Sequence, residues 1–175
     1  MEIVYFSFIL FLFMLAIFDL VVGVSNDAVN FLNSAIGAKV ARFRTILIIA
    51  SIGVFVGATL SNGMMDIARH GIFQPQMFSF NDLLCIFLAV MVTDVVLLDV
   101  FNTLGMPTST TVSMVFELLG GTFILSLLKI ATDETGLLGF DDLLNTDKAL
   151  SVILGIFLSV AVAFIFGTLV QWLSP

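Results

Sequence analysis

The amino-acid sequence predicts an all-α polytopic membrane protein with about five transmembrane segments, and three observations support this fold class. Of the 175 residues, 60% are hydrophobic and only 11% are charged, whereas soluble domains are roughly half apolar and a quarter charged. The apolar residues form five long runs, each close to the ~20 residues that cross a bilayer. Short polar connections separate these runs. We therefore expect residues 1–175 to form a single membrane domain.

The first run, residues 3–24, follows Glu2 instead of a basic segment and has no small-residue cleavage pattern, so we expect a retained span and not a signal peptide. Trp172 ends the last run where an interfacial aromatic residue is expected. The other four predicted spans are residues 46–60 with an extension to Met65, residues 83–104, residues 108–130 and residues 149–172.

The charge balance excludes several classes of function. Six Lys and Arg against thirteen Asp and Glu give a net charge of −7, which does not suit nucleic-acid binding or a polybasic lipid-binding surface. Cys85 and His70 are single residues of their kinds, so neither a disulfide framework nor a Cys or His metal site is expected. The basic cluster behind the first span favours an N-terminus outside the membrane.

Polar residues inside or beside the spans are the informative ones. A buried ionisable group in a bilayer costs at least a few kcal/mol and by default indicates function. No Lys or Arg lies within a span core to pair with these acids, so protons, bound cations or helix N-termini must neutralise them. The candidates are Asp19, Asp27, Asp94, Asp99 and Glu117.

The first polar constellation covers residues 23–37. Gly23 and Ser25 predict a break after the first span, with Ser25 or Asn26 capping a new short helix. At 100° per residue, one helix face within about 120° carries the polar side chains and the opposite face is hydrocarbon. Such oxygen ligands suit a hard cation, alone or shared with an oxyanion. An interfacial amphipathic helix, or hydrogen bonding between helices, is the alternative. The polar face consists of Asn26, Asp27, Asn30, Asn33, Ser34 and Gly37.

The second constellation covers residues 102–111. Gly105 and Pro107 predict a break between the third and fourth spans, with Pro107 at the first position of a new helix. Ser109, Thr110 and Thr111 then fall in the first turn, where free backbone N–H groups and the helix dipole bind anions without a basic residue. An ordinary helix start, with hydroxyls satisfying the backbone, is the alternative.

Three further acids are assigned by helical spacing. Thr110, Ser113 and Glu117 share one face of the fourth span, and Glu117 is the natural proton carrier. Asp94 and Asp99 lie about 140° apart on the third span. Asp99 shares a face with residues that lead into the Gly105 break, which makes it the better candidate near the site. Asp94 is expected to pair with a polar group on another helix.

At these two constellations the sequence resembles the inorganic phosphate transporter (PiT) family. The family's two hallmarks, Gly-x-Asn-Asp-x-x-Asn and Gly-x-Pro-x-Ser-Thr-Thr, correspond to Gly-Val-Ser-Asn-Asp-Ala-Val-Asn at residues 23–30 and Gly-Met-Pro-Thr-Ser-Thr-Thr at residues 105–111. Three departures stand out: Ser25 is an extra residue, Val112 replaces a common His, and Phe116-Glu117 replaces Gly-Ala. These departures bear on how the coupling ion is bound, and hence on the choice between sodium and protons.

The resemblance implies symport of inorganic phosphate with sodium or protons, without a resident cofactor. It assigns Asn26, Asp27 and Asn30 to the phosphate and cation site, with sodium at Asp27 and Asn30, and the second hallmark to the phosphate oxygens. Together with the helical spacing, it gives a phosphate-binding set of Asn26, Asp27, Asn30, Ser109, Thr110 and Thr111. The corresponding set for cation or proton coupling is Asp27, Asn30, Asp99 and Glu117.

The family contains each hallmark twice, in two inverted repeats, whereas this sequence contains one copy of each. We therefore expect one transporter repeat that works in the lipid bilayer with a second repeat or a partner subunit. Two alternatives stay open: half of a cation exchanger, and a non-transporting subunit whose polar residues join helices. An enzyme is not expected, because no nucleophile–base pair, metal-ligand cluster or nucleotide-binding loop is visible.

Overall fold

The computed structural model describes residues 2–61, 71–106, 108–134 and 136–173. Within these residues five helices are long and apolar enough to cross a membrane, which confirms the all-α polytopic fold class. A one-turn 3-10 helix, Pro75–Met77, precedes the third of them. The helices are α1 (Glu2–Gly37), α2 (Phe43–Leu60), α3 (Phe80–Leu104), α4 (Thr110–Thr132), the short α5 (Phe140–Leu143) and α6 (Thr146–Leu173).

The predicted spans agree with the helices to within three residues at every end but one. Each of α2, α3 and α6 begins three residues earlier than predicted, because its first turn contains polar residues that hydropathy does not count as membrane-spanning. The extension of the second span to Met65 lies outside the described residues, as does His70. The exception is the first span, which was expected to end at residue 24.

The break that the sequence predicts between Gly23 and Asn26 is wrong, because α1 is one continuous helix of 36 residues. A glycine inside a helix costs only about 1 kcal/mol. The Ser25 hydroxyl donates to the carbonyl of Val21 one turn earlier, at 2.9 Å, so it is satisfied within the helix and caps no new one. The amide of Asn26 bonds to another segment of the chain. The polar groups that were expected to end the helix are therefore satisfied in other ways: Ser25 within α1 and Asn26 by a tertiary hydrogen bond.

The predicted interruption at Gly105 is confirmed. Gly105 has a φ of +68°, a left-handed conformation that ends α3 and that glycine adopts without steric cost. The next helix begins at Thr110, with the Ser109 hydroxyl accepting a hydrogen bond from the Val112 N–H at 3.4 Å. This start lies three residues beyond Pro107, the expected first position of the helix, and Pro107 itself lies outside the described residues.

The helices α1, α3 and α4 pack against one another and form the centre of the molecule. Tyr5 contacts Phe80 edge to face at one end, with ring centroids 5.6 Å apart. Further along, the Asn102 amide donates to the Val22 carbonyl at 3.3 Å. From the first contact to the second, residue numbers increase along both helices, so α1 and α3 lie parallel. The helix α4 runs back beside them in the opposite direction. The apolar core between α3 and α4 includes Ile86, Val90, Val115 and Leu118.

Two connections meet at one end of this bundle. Phe73 pairs with Leu144 in an isolated β-bridge, and the Gln74 N–H donates to the Leu143 carbonyl at 3.0 Å. The segment that precedes α3 therefore lies beside the segment that precedes α6. A chain that crosses a bilayer five times requires these two connections to share one side.

Candidate functional site

The middle of α1 meets the link between α3 and α4 through Asn26. This side chain is fully buried. Its Nδ2 donates to the Thr108 carbonyl at 2.6 Å, and its Oδ1 accepts from the Thr108 N–H at 3.2 Å. An amide is both donor and acceptor, so a single asparagine satisfies both backbone groups of a residue that belongs to neither helix. Asn26 therefore fixes the link against α1.

Asp27 and Asn30 extend this contact along the same face of α1. Asn30 Nδ2 donates to the Thr108 carbonyl at 2.8 Å. The Thr110 hydroxyl lies 3.3 and 3.2 Å from the two carboxylate oxygens of Asp27 and donates to them. The structure thus brings the amide and carboxylate face of the first constellation into direct contact with the hydroxyl-rich helix start of the second.

A cavity of about 230 Å³ opens beside these contacts. It combines carboxylates with threonine hydroxyls, and among the residues that the structure describes its lining includes no Lys, Arg or His. An anion that binds here must be held by hydroxyls, by the free N–H groups at the start of α4 and by a co-bound cation or proton. The lining residues are Asp19, Leu20, Gly23, Val24, Asp27, Asp94, Thr110, Thr111 and Met114.

The remaining predicted residues fall into three positions. Ser109 is exposed and caps α4. Glu117 accepts a hydrogen bond from the Ser113 hydroxyl at 2.8 Å and borders a second, mainly apolar cavity of about 440 Å³ between α3 and α4. Asp99 is exposed and does not line the cavity of Asp27. The structure therefore gathers Asp27, its amide neighbours and the second hallmark, while it leaves Asp99 outside.

Asp94 occupies the position that sequence reasoning gave to Asp99. Only 5% of Asp94 is exposed, and it lines the same cavity as Asp19. The polar group of another helix that lies near Asp94 is therefore the Asp19 carboxyl group. Thr108 was also missed as a site residue, because it contributes backbone groups. The signal for it is the Gly-x-Pro break, which frees the backbone of the link.

No group of three or more His, Cys, Asp or Glu in the described ranges is placed to hold a metal ion. Any cation at Asp27 would therefore share its ligands with amide, hydroxyl and backbone oxygens.

One comparison with known proteins gives a match. The sequence model of the phosphate transporter family matches residues 23–174. No curated protein and no solved structure matches the chain. The matched range includes both constellations and every helix from the middle of α1 to the end of α6.

Proposed function

The chain belongs to the phosphate transporter family, and on that premise we propose that it carries inorganic phosphate across the membrane by cation-coupled symport. Family membership and the five apolar helices make it an integral multi-pass membrane protein whose substrate is phosphate. The family is one of transporters and not of enzymes. The coupling ion, the site and the arrangement of repeats belong to the proposal.

The observation that carries the proposed site is the contact between Asp27 and Thr110. It joins a helix face of carboxamide and carboxylate groups to a helix N-terminus rich in hydroxyls. We place phosphate between these elements, with its oxygens on Ser109, Thr110 and Thr111 and on the amide of Asn30, while the fully buried Asn26 holds the link against α1. Secondary transporters commonly bind anions at interrupted helices in this way.

Charge balance supports coupling to a cation. Phosphate at this position lies next to the Asp27 carboxylate, and the described residues that line the cavity offer no basic side chain. Sodium bound by Asp27 and Asn30, or a proton on a nearby carboxyl group, would offset the repulsion between phosphate and carboxylate. In this scheme either ion is transported together with the substrate, so no resident cofactor is required.

We further propose that residues 1–175 act as one repeat of an alternating-access transporter. The helices α2 and α6 bury only Ile46 and Ala149, respectively, in the described structure. Their apolar surfaces are therefore available to lipid and to a second repeat or partner subunit. Phosphate would then be enclosed between the site described above and that partner.

The test is phosphate uptake by proteoliposomes that contain the protein with any further repeat its natural reading frame encodes. Thr110→Val keeps the shape of the side chain and removes the hydroxyl. A hydrogen bond to a charged group contributes about 1.5–3 kcal/mol, so we expect phosphate affinity to fall by about tenfold to a hundredfold. Asp27→Asn should abolish any dependence of uptake on sodium, which Asp27 would bind.

The matched controls are Thr132→Val, whose hydroxyl bonds only to its own helix backbone, and Asp147→Asn, on an exposed residue at the start of α6. Both should leave uptake unchanged. Uptake of a cation that is indifferent to phosphate would instead indicate a cation exchanger and would refute the proposal. A loss of assembly in the Thr110 and Asp27 variants, with unchanged phosphate affinity, would indicate a non-transporting subunit.

A further inference from the structure

A cluster of carboxyl groups lies next to the proposed phosphate site and makes none of the contacts to phosphate proposed above. Asp19 on α1 and Asp94 on α3 lie within hydrogen-bonding reach of each other. Glu117 on α4 is close enough to interact electrostatically with both. Within the described part of the chain, Asp27 is the other ionisable group that lines the same cavity. Each of the three helices at the centre of the molecule thus contributes a carboxyl group.

These carboxyl groups have buried oxygens that no donor satisfies. Asp19 Oδ1, Asp94 Oδ1 and Glu117 Oε2 are inaccessible and have no hydrogen-bond partner in the described part of the protein. Asp94 is the most enclosed of the three, at 5% exposure, and its side chain lines the cavity. An enclosed acceptor without a donor indicates that a further atom belongs at this position.

The chemistry of the pair identifies that atom as a proton. Two ionised carboxylates are acceptors only, so Asp19 and Asp94 can hydrogen-bond to each other only when one of them is protonated. Like charges in a low-dielectric site also strongly disfavour double ionisation. A metal ion is the other way to satisfy carboxylates. The described structure has no group of three or more His, Cys, Asp or Glu placed to hold one, and a titration with sodium distinguishes a sodium ion from a proton on this pair.

We propose that Asp19 and Asp94 bind one proton between them and that this proton is coupled to phosphate binding, an inference that rests on the proposed function. The pair and the proposed phosphate site share one cavity, which Asp27, Thr110 and Thr111 also line. Loss of the proton adds one more carboxylate charge to this cavity, beside that of Asp27 and the one already on the pair, and repels the phosphate anion. By linkage, bound phosphate favours the protonated pair.

Infrared difference spectroscopy of the purified full chain in lipid tests the proton directly, without phosphate. We expect a C=O stretch from a protonated carboxyl group that disappears as the pH is raised. Asp19→Asn and Asp94→Asn should each lose this band at neutral pH, because an asparagine amide donates to the remaining carboxylate in place of the proton. Asp147→Asn, on an exposed residue, should retain it.

Three results would overturn the proton pair: no such band in the unaltered protein, retention of the band in either asparagine variant, or removal of the band by sodium at constant pH. The last result would identify a sodium site. Asp19 is only half-buried, so Asp19→Asn keeps the test decisive if Asp94→Asn does not fold.

Phosphate binding measured across the same pH range tests the coupling. The affinity of the unaltered protein should fall as the band disappears, whereas that of Asp19→Asn should follow only the titration of phosphate itself. Identical pH profiles in the two proteins would overturn the coupling. Absence of phosphate binding at every pH would instead count against the proposed function, and the infrared band would still decide the existence of the proton pair.

Discussion

Asn26 shows how a single side chain can hold two elements together at the residue scale. It is buried, and it makes one hydrogen bond as donor and one as acceptor with the backbone of Thr108. Aspartate has almost the same shape but cannot donate when ionised. The site therefore depends on the amide itself and not merely on a small polar residue.

We expect Asn26→Asp to destabilise the protein by about 1–3 kcal/mol, because the Thr108 carbonyl loses one of its donors and meets an oxygen instead. Thermal unfolding in detergent measures the effect. Asn33→Asp, on an exposed residue of the same helix, is the matched control and should change stability by less than about 0.5 kcal/mol. Equal stability of the two variants would show that the Asn26 contact does not hold the link.

The residue types at the site were predictable, whereas their partners were only partly so. Helical periodicity places Asn26, Asp27 and Asn30 on one face, and all three side chains do contact the same segment. Periodicity also separates Asp94 from Asp99, but it cannot say which face of the helix meets a neighbour. That depends on the packing of α3 against α1, which one sequence does not reveal.

At the scale of elements, the link between α3 and α4 depends on Gly105. Its left-handed backbone conformation lets α3 stop at Leu104 and brings the Thr108 backbone within reach of α1. The glycine-proline pattern predicted this interruption correctly. The same reasoning failed at Gly23, since a glycine inside a helix is tolerated wherever packing and side-chain hydrogen bonds support the helix.

Gly105→Ala should therefore destabilise the protein by about 1 kcal/mol, the cost of a Cβ in the left-handed region. Chemical unfolding in detergent provides the measurement. Gly57→Ala is the control, because Gly57 lies inside α2 and a Cβ there would meet nothing within 4 Å. That substitution should be neutral or stabilising. The prediction fails if both variants shift stability in the same direction.

A second element-level contact joins α4 to the start of α3. The Lys129 ammonium lies 2.8 Å from the Asp82 carboxylate, donates to the Met77 carbonyl at 3.1 Å, and sits 5.2 Å from the centre of the Phe78 ring. The Lys129 side chain thus connects α4 to the residues at and just before the start of α3.

Lys129→Met should lower stability by about 1 kcal/mol, since the ion pair is partly exposed and its energy is correspondingly small. A higher salt concentration should reduce the difference in the free energy of unfolding between this variant and the unaltered protein, because salt screens the ion pair. Lys148→Met serves as the control on an exposed lysine. A salt-independent loss of stability would indicate that packing of the side-chain stem, and not the charge, is responsible.

At the scale of the whole molecule, the connections before α3 and before α6 lie together, as five crossings require. Hydropathy alone sufficed to predict the number of spans. The orientation depends on a small difference in the placement of basic residues, which favours an N-terminus outside the membrane.

Cysteine labelling in a Cys85→Ser background tests this orientation. Lys39→Cys, between α1 and α2, should react only from the inside, and Asp141→Cys, between α4 and α6, only from the outside. Intact cells treated with a membrane-impermeant maleimide give the measurement, and permeabilised cells control for buried thiols. The reverse labelling pattern would show that the N-terminus lies inside. Labelling of both positions from the same side would contradict five membrane crossings.

The continuity of α1 has a mechanical consequence. At about 1.5 Å per residue its 36 residues form a rod roughly 54 Å long, with Tyr5 against Phe80 near one end and Asn26 against Thr108 well along its length. Because α1 is continuous through Asn26, it has no interruption at the site that could act as a hinge. Any movement that separates Asn26 from Thr108 must either swing the far end of α1 away from Phe80 or be absorbed by the non-helical residues that follow Gly105. If the contact between Tyr5 and Phe80 is kept, such a movement has to be taken up by the residues between α3 and α4 and not by α1.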